Sequence, residues 1–101
     1  MGIDRFRELM AEPDAQVLDV RMPSEWADAS IDGSVRRFLP DLLTDGIPAE
    51  LDRDRPVLVA CRTGRRASIA AGVLADAGYR AVVLDEVGVP DVVARAEADA
   101  A

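Results

Sequence analysis

Three apolar runs stand out along the chain: Val17-Leu18-Asp19-Val20, Val57-Leu58-Val59-Ala60 and Ala81-Val82-Val83-Leu84. They lack the polar alternation of a half-exposed strand, so each predicts a short strand buried on both faces. The segments between them carry helical signals. Ile3, Phe6, Leu9 and Met10 fall on one helical face, and Pro13 closes that segment. A short helix is predicted over residues 23–29, with Pro23 or Ser24 at its start. Ile31 to Val35 reads as a turn leading into a short strand, and Phe38 to Leu43 as another short helix ending near Gly46. Residues 47–56 hold Pro48, Pro56 and the alternating Asp52-Arg53-Asp54-Arg55, and read as a surface connection. Beyond the second apolar run, Ile69, Val73 and Ala77, with Ala70 and Leu74 beside them, form the apolar stripe of a longer helix. Gly78 stands where its C-terminal cap belongs. A terminal helix is predicted over residues 90–98, with Pro90 near its start.

Buried strands separated by helices predict an α/β domain of three layers. Its central, mostly parallel sheet has about four or five strands, with helices on both faces. The 101 residues suffice for one domain spanning residues 1–101 with one modest core. In such sheets the functional site lies at the carboxyl ends of the strands.

Composition narrows the chemistry. Half of the residues are hydrophobic, and no run is long enough to cross a membrane. Met1-Gly2-Ile3-Asp4-Arg5-Phe6 lacks the regions of a signal peptide, so a cytoplasmic location and no membrane partner are expected. The net charge of −7, with arginine as the only basic residue type, makes nucleic acid a poor partner. The chain has one cysteine and no histidine. An internal disulfide, a Cys–His pair and a histidine-based zinc site are thereby excluded within one chain, and no metal or cofactor is expected.

The cysteine is where the chemistry concentrates. Cys61-Arg62-Thr63-Gly64-Arg65-Arg66 lies between a predicted strand and a predicted helix. A lone cysteine after an apolar strand is ordinarily a small buried residue without chemistry. Arg62, Arg65 and Arg66 argue otherwise, since burying unpaired cations is costly. A strand-to-helix turn aims backbone N–H groups and a helix N-terminus at one point. A thiolate is favoured there, and so is a bound anion. One loop thus offers a nucleophile and an anion cradle.

Taken together, the motifs resemble the rhodanese-like family of single-domain sulfurtransferases over nearly the whole chain. Leu18-Asp19-Val20-Arg21, then Pro23, Glu25 and Trp26, is similar to the family's leading motif. Ile31 and Gly33-Ser34-Val35 are similar to its second. The run from Pro56 to Ala67 is similar to the active-site strand and loop, and Leu74, Ala77, Gly78 and Tyr79 to the segment after it. Departures fall at Ala29-Ser30-Ile31-Asp32-Gly33, where members commonly have Gly-His-Ile-Pro-Gly, and at Glu86-Val87-Gly88-Val89-Pro90, which replaces a Gly-Gly pair. These departures resemble rhodanese domains fused to persulfide dioxygenases.

The resemblance implies a rhodanese-like fold and a thiosulfate sulfurtransferase. Cys61 would take a sulfane sulfur from thiosulfate or a persulfide and pass it to cyanide or a thiol. Arg62, Thr63, Gly64, Arg65 and Arg66 would bind the small anionic donor. Arg62 and Arg65 are the candidates for direct charge pairing, whereas Arg66 either faces the ligand or braces the loop. Asp19 and Arg21 are expected to form a structural ion pair. Asp28 and Asp32 read as solvated loop carboxylates. Two other readings stay open. One is a non-catalytic or regulatory rhodanese module, including a domain of a larger persulfide-metabolising protein. The other is a phosphatase-like or arsenate-handling enzyme.

Overall fold

The computed structural model describes residues 2–62, 65–84 and 88–100, the last without its side chain. In chain order the elements are α1 (Ile3–Met10), β1 (Gln16–Asp19), α2 (Pro23–Asp28), β2 (Val35–Arg36), α3 (Leu39–Asp45), β3 (Val57–Ala60), α4 (Arg65–Asp76), β4 (Ala81–Val83) and α5 (Val89–Ala100). Among the described residues the sheet has four strands, all parallel, in the order β2-β1-β3-β4. The three-layer α/β arrangement expected from the apolar runs is present.

Both faces of the sheet are covered, which is why its strands are apolar throughout. Leu18, Val57 and Val59 point to one side, where they pack with Leu39 and Leu42 of α3 and with Ala67, Ala70 and Leu74 of α4. Val17, Leu58 and Ala60 point to the other, where they meet Phe6 of α1 and Val89 and Val92 of α5. The strand period of two thus splits each run between two cores. β1 and β3 are neighbours in register, with Leu18 opposite Val59. The chain leaves β1 toward β2 on one side and leaves β3 toward β4 on the other. The loops after the two central strands therefore diverge and open a crevice at their carboxyl ends.

Two expectations need correction. The buried stripe of α4 is Ala67, Ala70 and Leu74, and Ile69 is 54% exposed. Alanines facing the sheet let the helix lie close to it, and that turns Ile69 outward. The connection over residues 47–56 is also not wholly superficial. Pro48 is buried and Leu51 enters the core. The Gln16 side chain pins the segment: its Nε2 donates to the carbonyls of Asp52 (2.6 Å) and Arg55 (3.0 Å), and its Oε1 accepts from the Asp52 N–H (2.9 Å).

The carboxyl end of β1 is held by a buried ion pair. Asp19 and Arg21 are 0% and 1% exposed. The Arg21 Nε donates to both Asp19 carboxylate oxygens (3.0 and 3.1 Å), Nη2 donates to Oδ2 (2.8 Å), and the Arg21 backbone N–H donates to Oδ1 (3.0 Å). The rest of the guanidinium reaches the carbonyls of Glu25 (3.3 Å) and Ala29 (2.6 Å), clamping α2 to the sheet. Removing one partner of a buried pair strands the other charge. Arg21→Ala should therefore lower stability in urea by about 3–5 kcal/mol. The double variant Asp19→Leu/Arg21→Met, which leaves no stranded charge, should lose less than the single change. A single change that costs no more than a surface substitution would contradict the clamp.

Candidate active site

Cys61 directly follows β3 at the crevice, beside the loop that leaves β1. Its backbone is gripped from α5. The Val89 N–H donates to the Cys61 carbonyl at 2.9 Å. Gly88 lies so close that a β-carbon there would sit 2.3 Å from the Cys61 carbonyl oxygen and 2.0 Å from that of Arg62. Only glycine fits such a backbone approach, for reasons of space alone. The Gly88 N–H in turn donates to Asp91 Oδ2 at 2.9 Å, which caps the start of α5. The Cys61 side chain is 0% exposed and packs in the core cluster shared with α4.

The loop arginines divide into two kinds. Arg66, in the first turn of α4, is half-buried and points to α2. Its Nη1 donates to Glu25 Oε1 (2.8 Å) and its Nη2 to Glu25 Oε2 (3.2 Å). Glu25 Oε1 also accepts from the Met22 N–H at 3.1 Å, closing a capping interaction at the start of α2. The Arg66 hydrogen bonds hold the Glu25 carboxyl below its ordinary value of 4.5, against the opposing effect of burial. The hydrogen bonds to Glu25 in turn hold Arg66 above its ordinary value, against the opposing effect of burial. Arg62 and Arg65 are exposed, and neither has an ion-pair partner among the described residues. Thr63 and Gly64 lie outside the described residues, as do Glu86 and Val87 of the rim.

A cavity of about 200 Å³ opens beside the loop, between Arg62, Pro90 and the end of α2. Arg21, Glu25, Asp28 and Ala29 form its other walls. Of the residues singled out in the sequence, the fold brings Cys61, Arg62, Arg65, Arg66, Asp19 and Arg21 to one end of the sheet. Asp32 lies elsewhere, on a larger cleft of about 510 Å³ between α1 and α5. The roles of Glu25 and Gly88 escaped the sequence reading. Glu25 carried only its place in the leading motif, and Gly88 only its place in a departure from the family pattern.

A four-stranded parallel sheet covered on both faces, with a cysteine followed by arginines where two strands diverge, defines a class of small α/β domains. Within that class the chain belongs to the rhodanese-like domain family, whose model matches residues 3–94. Solved structures agree. A rhodanese-related protein from Thermoplasma volcanium is 26% identical, with 94% of this chain and 90% of that one covered at a TM-score of 0.75. A single-domain sulfurtransferase from Saccharomyces cerevisiae shares the fold at 20% identity, with 98% and 91% covered and a TM-score of 0.76. A Bacillus anthracis protein carries the same fold as 17% of its length, at 22% identity, with 98% of this chain covered and a TM-score of 0.74. No match is found among curated protein sequences.

Two substitutions check this geometry. Gly88→Ala should cost about 1–3 kcal/mol in urea unfolding, because backbone atoms of the loop must move to admit the methyl group. Glu25→Gln should cost about 1–2 kcal/mol at neutral pH, the worth of charge-assisted bonds to Arg66. The Glu25 pKa is lowered by folding. Its contribution is therefore fully present above the unfolded value and is lost as the pH falls through the folded one. The gap between parent and Glu25→Gln should hold at neutral pH and close only in acid, below the ordinary carboxylate range. A gap independent of pH would show that Glu25 acts only by packing.

Proposed function

We propose that residues 1–101 form a single-domain thiosulfate sulfurtransferase that works through a persulfide on Cys61. The observation that carries this reading is the division of the loop arginines. Arg66 is engaged by Glu25, while Arg62 and Arg65 flank the cysteine loop with their charges uncompensated among the described residues. Arg66 braces the loop, and Arg62 and Arg65 are left for the donor anion, with Thr63 and Gly64 supplying further loop contacts.

In the first half-reaction the Cys61 thiolate attacks the outer sulfur of thiosulfate. The S–S bond of the donor breaks and sulfite leaves with the electron pair. In the second, a thiophile such as cyanide or a small thiol attacks the outer sulfur of the persulfide and regenerates the thiolate. Arginine directly after the cysteine favours thiosulfate over the less charged 3-mercaptopyruvate. Only four residues separate Cys61 from Arg66, one fewer than in cysteine-dependent phosphatases of related fold. The shorter loop suits a sulfur carried on the cysteine better than a tetrahedral phosphate beside it. A reducing compartment such as the cytoplasm suits a lone reactive thiol.

The competing reading is a non-catalytic module, and the burial of Cys61 is the observation that favours it. With Cys61 0% exposed, its sulfur must be uncovered before any reactant arrives. Burial also selects small reactants over protein thiols, which is what thiosulfate and cyanide are.

The protein's charge of −7 should repel a dianion. Surface carboxylates beyond a Debye length of about 8 Å are screened, however, so the local arginines should dominate. Thiocyanate formation should follow ping-pong kinetics and should vanish in Cys61→Ser. Arg62→Ala and Arg65→Ala should each lower kcat/KM for thiosulfate by about 10- to 100-fold, one to two steps of about 1.4 kcal/mol. Neutralising the exposed Asp52 or Asp99 should change it by less than about twofold. Activity surviving in Cys61→Ser would end the reading, and distant acids that matter as much as the loop arginines would replace the cradle with long-range steering.

A further inference from the structure

The cavity beside Arg62 carries a charge pattern that the donor does not explain. Two of its charged walls are already satisfied. The Arg21 guanidinium is taken up by Asp19 and by two backbone carbonyls. The Glu25 carboxylate is taken up by Arg66 and the Met22 N–H. Among the described residues that line it, what remains is one cation, Arg62, and one anion, Asp28. Both are exposed and both line the same cavity, and neither has an ion-pair partner among the described residues. A dianion in this space would meet Asp28 as well as Arg62. An uncharged thiol would use neither residual charge. A ligand with one group of each sign would use both.

We propose that this cavity is the acceptor site, and that the acceptor is a small zwitterionic thiol of amino-acid type. Its carboxylate meets Arg62 and its ammonium meets Asp28. The inference rests on the sulfurtransferase reading, and it narrows the second substrate to one chemical class. Size points the same way. About 200 Å³ lies below the range of about 300–1,000 Å³ that holds drug-sized ligands, so the cleft is matched to a single amino-acid thiol. Arg62 serves both half-reactions in turn, because sulfite has left before the acceptor binds. In the transfer itself the acceptor thiolate attacks the outer sulfur of the Cys61 persulfide. The bond from that sulfur to Cys61 breaks, the pair of electrons returns to Cys61 as thiolate, and the acceptor leaves as a persulfide. One sulfur atom moves and no external oxidant or reductant is needed.

The test loads the intact protein with thiosulfate and follows loss of the added sulfur by intact mass. The acceptors are L-cysteine, N-acetylcysteine (carboxylate only), cysteamine (ammonium only), 2-mercaptoethanol (neither) and glutathione. Rates are compared at equal thiolate concentration and corrected for thiol basicity. L-cysteine should react about three- to tenfold faster than either singly charged analogue and faster than glutathione. Asp28→Asn should shrink the ratio of L-cysteine to N-acetylcysteine toward one. Equal rates for all acceptors, glutathione as the fastest, or a ratio unmoved by Asp28→Asn would each overturn the acceptor site while leaving the sulfurtransferase reading intact. Failure of thiosulfate to load any sulfur would overturn that reading, and this inference with it.

Discussion

One buried guanidinium, that of Arg21, organises the end of the sheet where the chemistry is proposed. It neutralises Asp19 at the carboxyl end of β1 and holds the carbonyls of Glu25 and Ala29. α2 is thereby set in place, and its Glu25 reaches across to Arg66 at the start of α4. β1, α2 and α4 are thus joined through two ion pairs in series. Such pairs add little net stability over an apolar replacement, because both charges must be desolvated. What they supply is position, since a misplaced α2 or α4 would leave a buried charge without its partner.

The same network decides which charges remain for a ligand. Three arginines sit in the loop, yet one is engaged by Glu25 and the site is less cationic than the sequence suggests. The β3 end is fixed independently from the far side of the sheet. There Val89 holds the Cys61 carbonyl, and Gly88 permits the backbone contact. The cysteine therefore stands between two anchors, one ionic and one steric, that belong to opposite layers of the domain.

Much of this was legible in the sequence because it depends on local pattern. Strands apolar at every position imply two covered faces, and the two core clusters bear that out. The order of strands and helices placed Cys61 at a strand end, and the Asp19–Arg21 pair spans only two residues. What stayed hidden is non-local. The Glu25–Arg66 pair joins positions 41 apart in the chain, and no spacing rule links them. The meeting of Asp28 with Arg62 in one cavity has no sequence signal either. The buried face of α4 was misjudged because isoleucine and valine weigh more than alanine in a hydrophobic stripe. Close packing on the sheet selected Ala67 and Ala70 and left Ile69 outside. Leu51 was overlooked because the charged run after it marked the whole segment as surface, whereas Gln16 reaches out to draw that segment in.

The central claim is that Cys61, though covered, accepts sulfur on its own side chain. Intact-mass measurement after brief exposure to thiosulfate, with sulfite determined in the same sample, tests it most directly. The account predicts a gain of one sulfur atom per chain, matched by one equivalent of sulfite and mapped by fragmentation to Cys61. An unchanged mass with no sulfite released, under conditions where the folded domain is intact, would contradict it.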